Sequence, residues 1–213
     1  MSLPSPLLAV TDRHGCADLV ATVRAILSGG GRWIWFREPD LDPPERRRLA
    51  EALLALVREA GGALSIGRDV ALAAAIGADG VHLPGGTAAD AIAAARRVLP
   101  QGALIGVSTH GPAEIARAAG ADYVTLSPIF ETASKPGYGP ALGPAGLASA
   151  VGSGLPILGL GGMAPDTLAP CRQAGAAGFS VMGGLMRARD PARATAALLT
   201  AWERGRPAAS PRP

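Results

Sequence analysis

The sequence predicts a (β/α)8 barrel, a fold in which eight parallel strands close into a cylinder surrounded by helices. Two observations lead to this prediction. Short apolar runs alternate with Ala- and Leu-rich segments of helical spacing along almost all of the 213 residues. Three segments, "GADGVHLP", "GADYVTLSP" and "GAAGFSVMGG", also repeat one layout of Gly-Ala, an apolar run and then polar or glycine residues. Strict alternation indicates parallel βαβ units, and eight such units at this length favour a closed barrel over an open doubly wound sheet.

Each predicted strand is a short run of mostly apolar residues, as expected for parallel strands that are covered on both faces. In chain order, the eight runs are 7–10, 32–36, 63–66, 80–83, 103–106, 122–126, 156–160 and 178–182. Helical segments such as "TAADAIAAARRVL" lie between them, and a glycine often follows where a helix C-cap is expected. We therefore expect one barrel domain over residues 1–205 and a disordered tail over residues 206–213.

The composition is that of a folded globular domain. Hydrophobic residues make up 48% of the chain and charged residues 17%, with a net charge of only +3. The densest basic cluster, Arg46-Arg47-Arg48, opens a predicted helix, so it fits a solvated helix face better than a nucleic-acid site. No apolar stretch approaches the roughly 20 residues of a membrane span, and no basic region precedes "PLLAV" as in a secretory signal. We expect a cytoplasmic protein that binds neither nucleic acid nor membrane.

The two cysteines, Cys16 and Cys171, predict neither a disulfide nor a zinc site. They are far apart in the chain, and neither has a second Cys or a His at metal-ligand spacing. Such usage is typical of a reducing compartment. The sequence does not decide the oligomeric state, and a homodimer is expected only by analogy with other barrels of this size.

All three histidines lie in or just after a predicted strand, and the catalytic residues of this fold lie where strands end. His110 follows strand five directly after Ser108, and a neutral imidazole is a natural proton-transfer group. His82 lies within strand four and is either a core histidine or a substrate contact. His14 follows strand one and is either a solvated loop residue or part of the site.

Four further segments predict anion binding at the same end of the barrel. Lys135 is the only lysine and lies in the loop after strand six, where it is either a phosphate contact or an exposed loop charge. Arg37 ends strand two and could hold an anion bidentately or form a salt bridge at the rim. Paired glycines in "LGLGGMAPDTL" and "SVMGGLM" follow strands seven and eight. With a helix starting near Pro165 or just after strand eight, they predict a phosphate cradle.

Several of these motifs together resemble the thiamine phosphate synthase/TenI superfamily. They are "GVHL", "IGVSTH", "GADYVTLSPIFETASK", "LGLGGM" and the glycine pair after strand eight, and the similarity runs from about residue 7 to 200. The resemblance implies a barrel that handles the thiazole phosphate of thiamine biosynthesis. It assigns the phosphate contacts to Gly161, Gly162, Met182 and Gly183.

The synthase branch of this superfamily carries a Gln-x-Arg-x-Lys motif after strand two, an Asn-Asp pair after strand three and an Asp after strand four. Here only Arg37 remains of the first motif, the pair falls at Gly67-Arg68, and Pro84-Gly85-Gly86 follows strand four without a carboxylate. Mg²⁺ requires oxygen ligands, so these substitutions argue against the synthase reaction. Trp35 is either a core residue or fills the space that a pyrimidine would occupy.

The thiazole half of the motif set is retained, which resembles the thiazole tautomerase branch. We therefore expect a metal-independent tautomerase without a cofactor, acting on a small phosphate substrate, in which His110 and Ser108 are catalytic. The predicted substrate contacts are Arg37, His82, Thr132, Ser134 and Lys135. The alternatives are a divergent thiamine phosphate synthase that uses Mg²⁺, a protein that binds thiazole or thiamine phosphate without turnover, and an unrelated phosphate-binding barrel.

Overall fold

The fold is a closed parallel barrel of eight strands, as predicted. The computed structural model describes residues 2–132 and 139–206, and within them each strand pairs with its neighbours in chain order and β8 pairs with β1. The strands are β1 (Leu7–Val10), β2 (Trp33–Phe36), β3 (Ala63–Gly67), β4 (Gly80–Leu83), β5 (Leu104–Thr109), β6 (Tyr123–Leu126), β7 (Ile157–Leu160) and β8 (Gly178–Val181).

Every predicted apolar run overlaps one of these strands, and the largest difference is at β5. The predicted run ended at residue 106, whereas β5 continues through Ser108 to Thr109. The added residues pair in register with β6, Ser108 beside Thr125. Two polar residues thus belong to the strand and not to the loop after it, because the ladder to β6 continues through them.

Helices follow the strands around the outside of the barrel. They are α1 (Leu19–Ser28), α2 (Pro43–Glu59), α3 (Val70–Ile76), α4 (Ala89–Val98), α5 (Pro112–Arg117), α6 (Gly143–Ala150), α7 (Leu168–Gln173), α8 (Gly183–Met186) and α9 (Pro191–Arg204). Asp side chains cap four of them, accepting the N–H group three residues on. The expected short helix after strand eight is α8, but α7 begins at Leu168 and not near Pro165, which lies in a turn.

Alternation along each strand divides the core into two layers. One set of side chains packs outward against the helices, and the other fills the barrel interior. The apolar interior set is Leu8, Val10, Trp33, Trp35, Leu104, Tyr123 and Leu158. Ser65, His82, Thr125 and Ser180 are buried polar residues of the strands. The barrel is a packed core, so a ligand site must lie at one of its ends.

Three further expectations concern membrane spans, the cysteines and the C-terminal tail. In the part of the chain that the structure describes, no helix combines the length and the apolar character that crossing a bilayer requires. Cys16 and Cys171 are both free thiols. The predicted tail, except for Arg206, lies outside the described residues and stays a prediction.

Candidate active site

The carboxyl-terminal ends of the eight strands form one mouth, because all strands are parallel and pair in register. The chain leaves seven of the strands there through Thr11, Arg37, Arg68, His110, Ser127, Gly161 and Met182, which are polar, charged or glycine residues except for Met182. This is the end of the barrel at which the sequence predicted the site, and it collects residues from seven different turns.

His82 lies inside the barrel below this mouth, at 0% exposure. Its Nδ1 atom is 3.0 Å from the Tyr123 hydroxyl, and its Nε2 atom is 3.0 Å from Ser108 Oγ. Burial lowers the pKa of His82 to about 3, so the ring is neutral at physiological pH. Of the two roles that the sequence left open, the structure favours the core histidine. His82 orients Ser108, which lies between it and the mouth.

Trp35 packs on this histidine and belongs to the interior. Its ring centroid is 3.8 Å from that of His82, and only 6% of the residue is exposed. Its indole Nε1 atom is buried and has no hydrogen-bond partner among the described residues. Gly67 lies directly beside it, since a Cβ atom at Gly67 would be 2.9 Å from Nε1. Trp35 therefore fills the barrel beneath the ends of β2 and β3.

His110 lies at the rim, exposed and held in one orientation. Its backbone N–H donates to Glu114 Oε2 at 3.1 Å, and its Nδ1 atom is 2.8 Å from the carbonyl oxygen of Ser127. A carbonyl only accepts, so Nδ1 carries the proton in the neutral ring and Nε2 bears the lone pair. Nε2 faces the turn after β4, at 3.5 Å from a Cβ atom built on Gly85. The ring can thus accept a hydrogen bond on the side of that turn.

The glycine pair after β7, the first of the two predicted glycine loops, packs closely against the segment after β6. Gly161 and Gly162 have positive φ angles of 96° and 63°, and a Cβ atom at Gly162 would be 2.5 Å from the carbonyl oxygen of Glu131. Their backbones therefore approach the segment after β6 more closely than any side chain would allow. Of the predicted contacts from that segment, Thr132 is half-buried, whereas Ser134 and Lys135 lie outside the described residues.

The turn after β8 brings in an arginine that the sequence did not single out. Met182 precedes α8, and the Arg187 guanidinium folds back so closely that a Cβ atom on Gly183 would collide with it. Arg187 Nη1 also lies 3.8 Å from Asp12 Oδ2, in the turn after the neighbouring strand β1. Its spacing of four residues from Gly183 is one helical turn, which was the available signal.

Two carboxylates in the turn after β2 lie close to cationic side chains. Glu38 is 2% exposed; its oxygens accept the backbone N–H of Arg13 at 3.1 and 3.3 Å, and the Arg13 Nε atom lies 3.9 Å from Oε2. Burial raises the pKa of Glu38. Asp40 binds Arg13 at 2.5 Å and His14 at 2.8 Å, and the His14 hydrogen bond lowers its pKa. His14 thus forms a hydrogen-bonded pair with Asp40 at the rim of the barrel.

These residues do not fit the Mg²⁺ site that the resemblance implies for a synthase. No group of three or more His, Cys, Asp or Glu residues that could hold a metal ion occurs within residues 2–132 and 139–206. The turn after β3 presents the cationic Arg68, and the turn after β4 presents Pro84, Gly85 and Gly86. A guanidinium repels Mg²⁺, and this ion prefers carboxylate oxygens.

Comparison with known proteins relates this site to one family. Residues 7–185 match the family model described as thiamine monophosphate synthase. A putative thiamine-phosphate synthase of Geobacter sulfurreducens is 39% identical over 198 residues, which are 91% of this chain and 92% of the relative. The thiamine-phosphate synthase of Chromobacterium violaceum is 41% identical over 90% of this chain and 93% of its own. Thiamine phosphate pyrophosphorylase from Pyrococcus furiosus superposes with a TM-score of 0.82 at 29% identity, covering 93% of this chain and 96% of that structure.

These similarities correct the main functional expectation. The relatives that match over most of the chain are named thiamine-phosphate synthase, and none of these names supports a tautomerase. The predicted isomerase is therefore wrong, and the synthase alternative is favoured. The error came from treating the lost carboxylates as a sign of a different reaction.

Proposed function

The chain belongs to the thiamine monophosphate synthase/TenI superfamily, and from this premise we propose that it is a thiamine-phosphate synthase. It would join a pyrimidine diphosphate to a thiazole phosphate and release diphosphate. The observation that carries this proposal is identity of 39–41% to proteins of that name over about nine tenths of both chains. A cytoplasmic location and a homodimer stay predictions.

Two sets of residues at the mouth support a reaction between two anionic substrates. On one side, the loops after β7 and β8 offer Gly161, Gly162, Met182 and Gly183, with the Arg187 guanidinium against Gly183. We assign the thiazole phosphate to this side, with Thr132, Ser134 and Lys135 as further proposed contacts. On the other side, Arg37 ends β2, and we assign the diphosphate to it.

Ser108 and His110 lie between these two sides, on β5 and just after it. Ser108 is held from below by His82, and His110 is held from the side by Ser127. Both side chains are thus fixed before substrate arrives, and fixed groups orient reactants at little entropic cost. We propose that they align the two rings while a new bond forms between the substrates. The bond to the diphosphate breaks, and the diphosphate leaves with that electron pair.

The test is a thiamine phosphate assay with both substrates, run once with Mg²⁺ and once with EDTA. We expect product well above a control without protein in at least one of the two conditions. Under that condition, Arg37→Ala should lower kcat/KM by about 10-fold or more, as for loss of a charged hydrogen bond. Arg97→Ala is the matched control, since Arg97 is exposed on α4.

One observation favours a second candidate. Arg68 stands at the position where the resemblance places a metal-binding carboxylate, and such a change is compatible with a protein that binds thiazole phosphate or thiamine phosphate without turnover. The same assay separates the two. No product under either condition, together with measurable binding of thiazole phosphate, would contradict the synthase and support the binding protein.

A further inference from the structure

We propose that Arg37 and Arg68 form a guanidinium pair that binds a diphosphate group directly, without a Mg²⁺ ion. This inference deepens the proposed function and rests on it, because it states how the diphosphate of one substrate is held. It starts from the disagreement between the Mg²⁺ that the family implies and the cationic residues at this end of the barrel.

The turn that carries Arg68 is fixed on both sides of that residue. Arg46 of α2 donates one hydrogen bond to the Gly67 carbonyl oxygen and one to Asp69 Oδ2, both at 2.6 Å. Asp69 in turn caps α3 by accepting the N–H of Leu72 at 2.8 Å. The Arg68 N–H donates to the His82 carbonyl oxygen at 2.8 Å. The position of Arg68 is thus set by β4, α2 and α3 together.

The backbone at Arg68 is also strained. Its φ angle is 68°, which makes Arg68 the only residue other than glycine with a positive φ among the described residues. A long side chain rarely adopts this conformation, which costs conformational energy. The preceding residue, Gly67, has no room for a side chain, because a Cβ atom there would be 2.9 Å from the Phe36 carbonyl oxygen. Arg68 is therefore an exposed arginine whose backbone conformation costs energy and is held in place by the hydrogen bonds of this turn.

Arg37 lies beside this turn on the neighbouring strand. Trp35 pairs with Ser65 and Phe36 with Ile66, so the register continues with Arg37 beside Gly67. A Cβ atom built on Gly67 would be 3.5 Å from the Arg37 Cα atom. The Arg37 N–H donates to the buried Thr11 hydroxyl at 2.8 Å, which fixes this strand end as well. The two arginines are thus held on adjacent, rigid strand ends.

Neither guanidinium group has a counterion in the part of the chain that the structure describes. Neither Arg37 nor Arg68 has a hydrogen bond or an ion pair from its side chain to any residue in the ranges 2–132 and 139–206. The nearby carboxylates are taken: Asp69 binds Arg46, Asp40 binds Arg13 and His14, and Asp12 faces Arg187. Two neighbouring like charges without a carboxylate favour an anion between them.

A diphosphate has the chemistry that suits this pair. It carries several negative charges on two linked phosphoryl groups, and each guanidinium can donate two parallel hydrogen bonds to one of them. Two guanidinium groups on these fixed strand ends would neutralise the charge that Mg²⁺ would otherwise neutralise. A single phosphate or sulfate would engage one guanidinium fully and should bind more weakly.

The test is calorimetric titration of the full chain with inorganic diphosphate in the presence of EDTA. We expect binding about 10-fold or more tighter than that of inorganic phosphate or sulfate under the same conditions. Arg68→Ala and Arg37→Ala should each weaken diphosphate binding by about 10-fold or more, whereas Arg97→Ala should leave it within about 2-fold. Arg68→Asp should abolish binding in EDTA; an aspartate is tolerated at a positive φ more readily than an arginine.

Three results would overturn the proposal. They are diphosphate binding that requires Mg²⁺ in the unmodified chain, equal affinity for diphosphate and sulfate, and an Arg68→Ala variant that binds as well as the parent. None of these measurements depends on turnover. Binding in EDTA that depends on Arg68 would therefore stand even if the synthase assay gave no product, and failure of this site would leave a Mg²⁺-dependent synthase possible.

Discussion

His82 shows how one buried residue can make the stability of the whole barrel depend on pH. Burial lowers its pKa to about 3, whereas a histidine in the unfolded chain titrates near 6.5. Below pH 6.5 the unfolded state therefore binds one more proton than the folded state, so the free energy of unfolding falls as the pH is lowered towards 3. From pH 7.5 to pH 5 this one group should remove about 2 kcal/mol. Urea unfolding at the two pH values measures the change.

Carboxylates also titrate between pH 7.5 and pH 5. The contribution of His82 is therefore isolated by comparing the pH dependence of the free energy of unfolding in the parent chain with that in His82→Gln. We expect the variant to lose the part of the pH dependence that His82 supplies, and His14→Gln, an exposed rim histidine, to retain it. A second measurement does not depend on the variant folding. The ring nitrogen signals of His82 in the parent chain should not move between pH 7.5 and 5, and a titration there would contradict the assignment.

At the scale of elements, α2 and the turn after β3 are joined through one arginine of a basic cluster. Arg46 and Arg47 are neighbours, yet Arg46 is 13% exposed and binds both Asp69 and the Gly67 carbonyl, whereas Arg47 is 54% exposed and binds Glu51 of its own helix. Arg46→Met should lower the free energy of unfolding by about 2 kcal/mol, because it leaves a carbonyl and a carboxylate without their charged donor.

Arg47→Met is the matched control and should cost less than about 0.5 kcal/mol, since exposed pairs one helical turn apart contribute little. Denaturant unfolding of the two variants gives the comparison. Equal effects would mean that α2 does not brace the turn. The sequence predicted a solvated helix face for this cluster; that holds for Arg47 but not for Arg46, since a contact to a turn 21 residues away leaves no periodic signal.

The strands were predictable because parallel strands inside two layers must be apolar on both faces, which leaves short runs that end in polar or glycine residues. Glycine pairs such as Gly161-Gly162 were also visible, since close approach and positive φ select for glycine. The contact of His82 with Tyr123 was not predictable. These residues are 41 positions apart, and they meet only because two strand registers on either side of β5 bring them together.

At the scale of the whole molecule, the sequence identified the mouth but misjudged its chemistry. The replacement of the Asn-Asp pair by Gly67-Arg68 and the lack of a carboxylate directly after β4 predicted the loss of one reaction. Similarity over nine tenths of the chain favours the synthase instead. The lack of a metal-binding carboxylate shows only that a metal ion is not held in the usual way. It does not show which residue takes over the role of that carboxylate. Arg68 became visible as a replacement only with the turn geometry, because its positive φ and the brace from Arg46 depend on three separate elements.

A ligand at this mouth should stabilise the barrel as one unit, because β1–β8 pairing closes the sheet and the anion contacts come from its strand ends. In a Trp202→Phe background, which removes the tryptophan of α9, the fluorescence of Trp33 and Trp35 reports on the interior, and far-UV circular dichroism reports on the outer helices. With inorganic diphosphate in EDTA at about 100 times its dissociation constant, both probes should show the same added stability of about 2.7 kcal/mol. Arg68→Ala, with binding about 10-fold weaker, should lose about half of that gain at the same diphosphate concentration, and Arg97→Ala should keep it. A gain seen by one probe only would mean that the mouth and the helices unfold separately, so that the closed sheet does not couple the site to the domain.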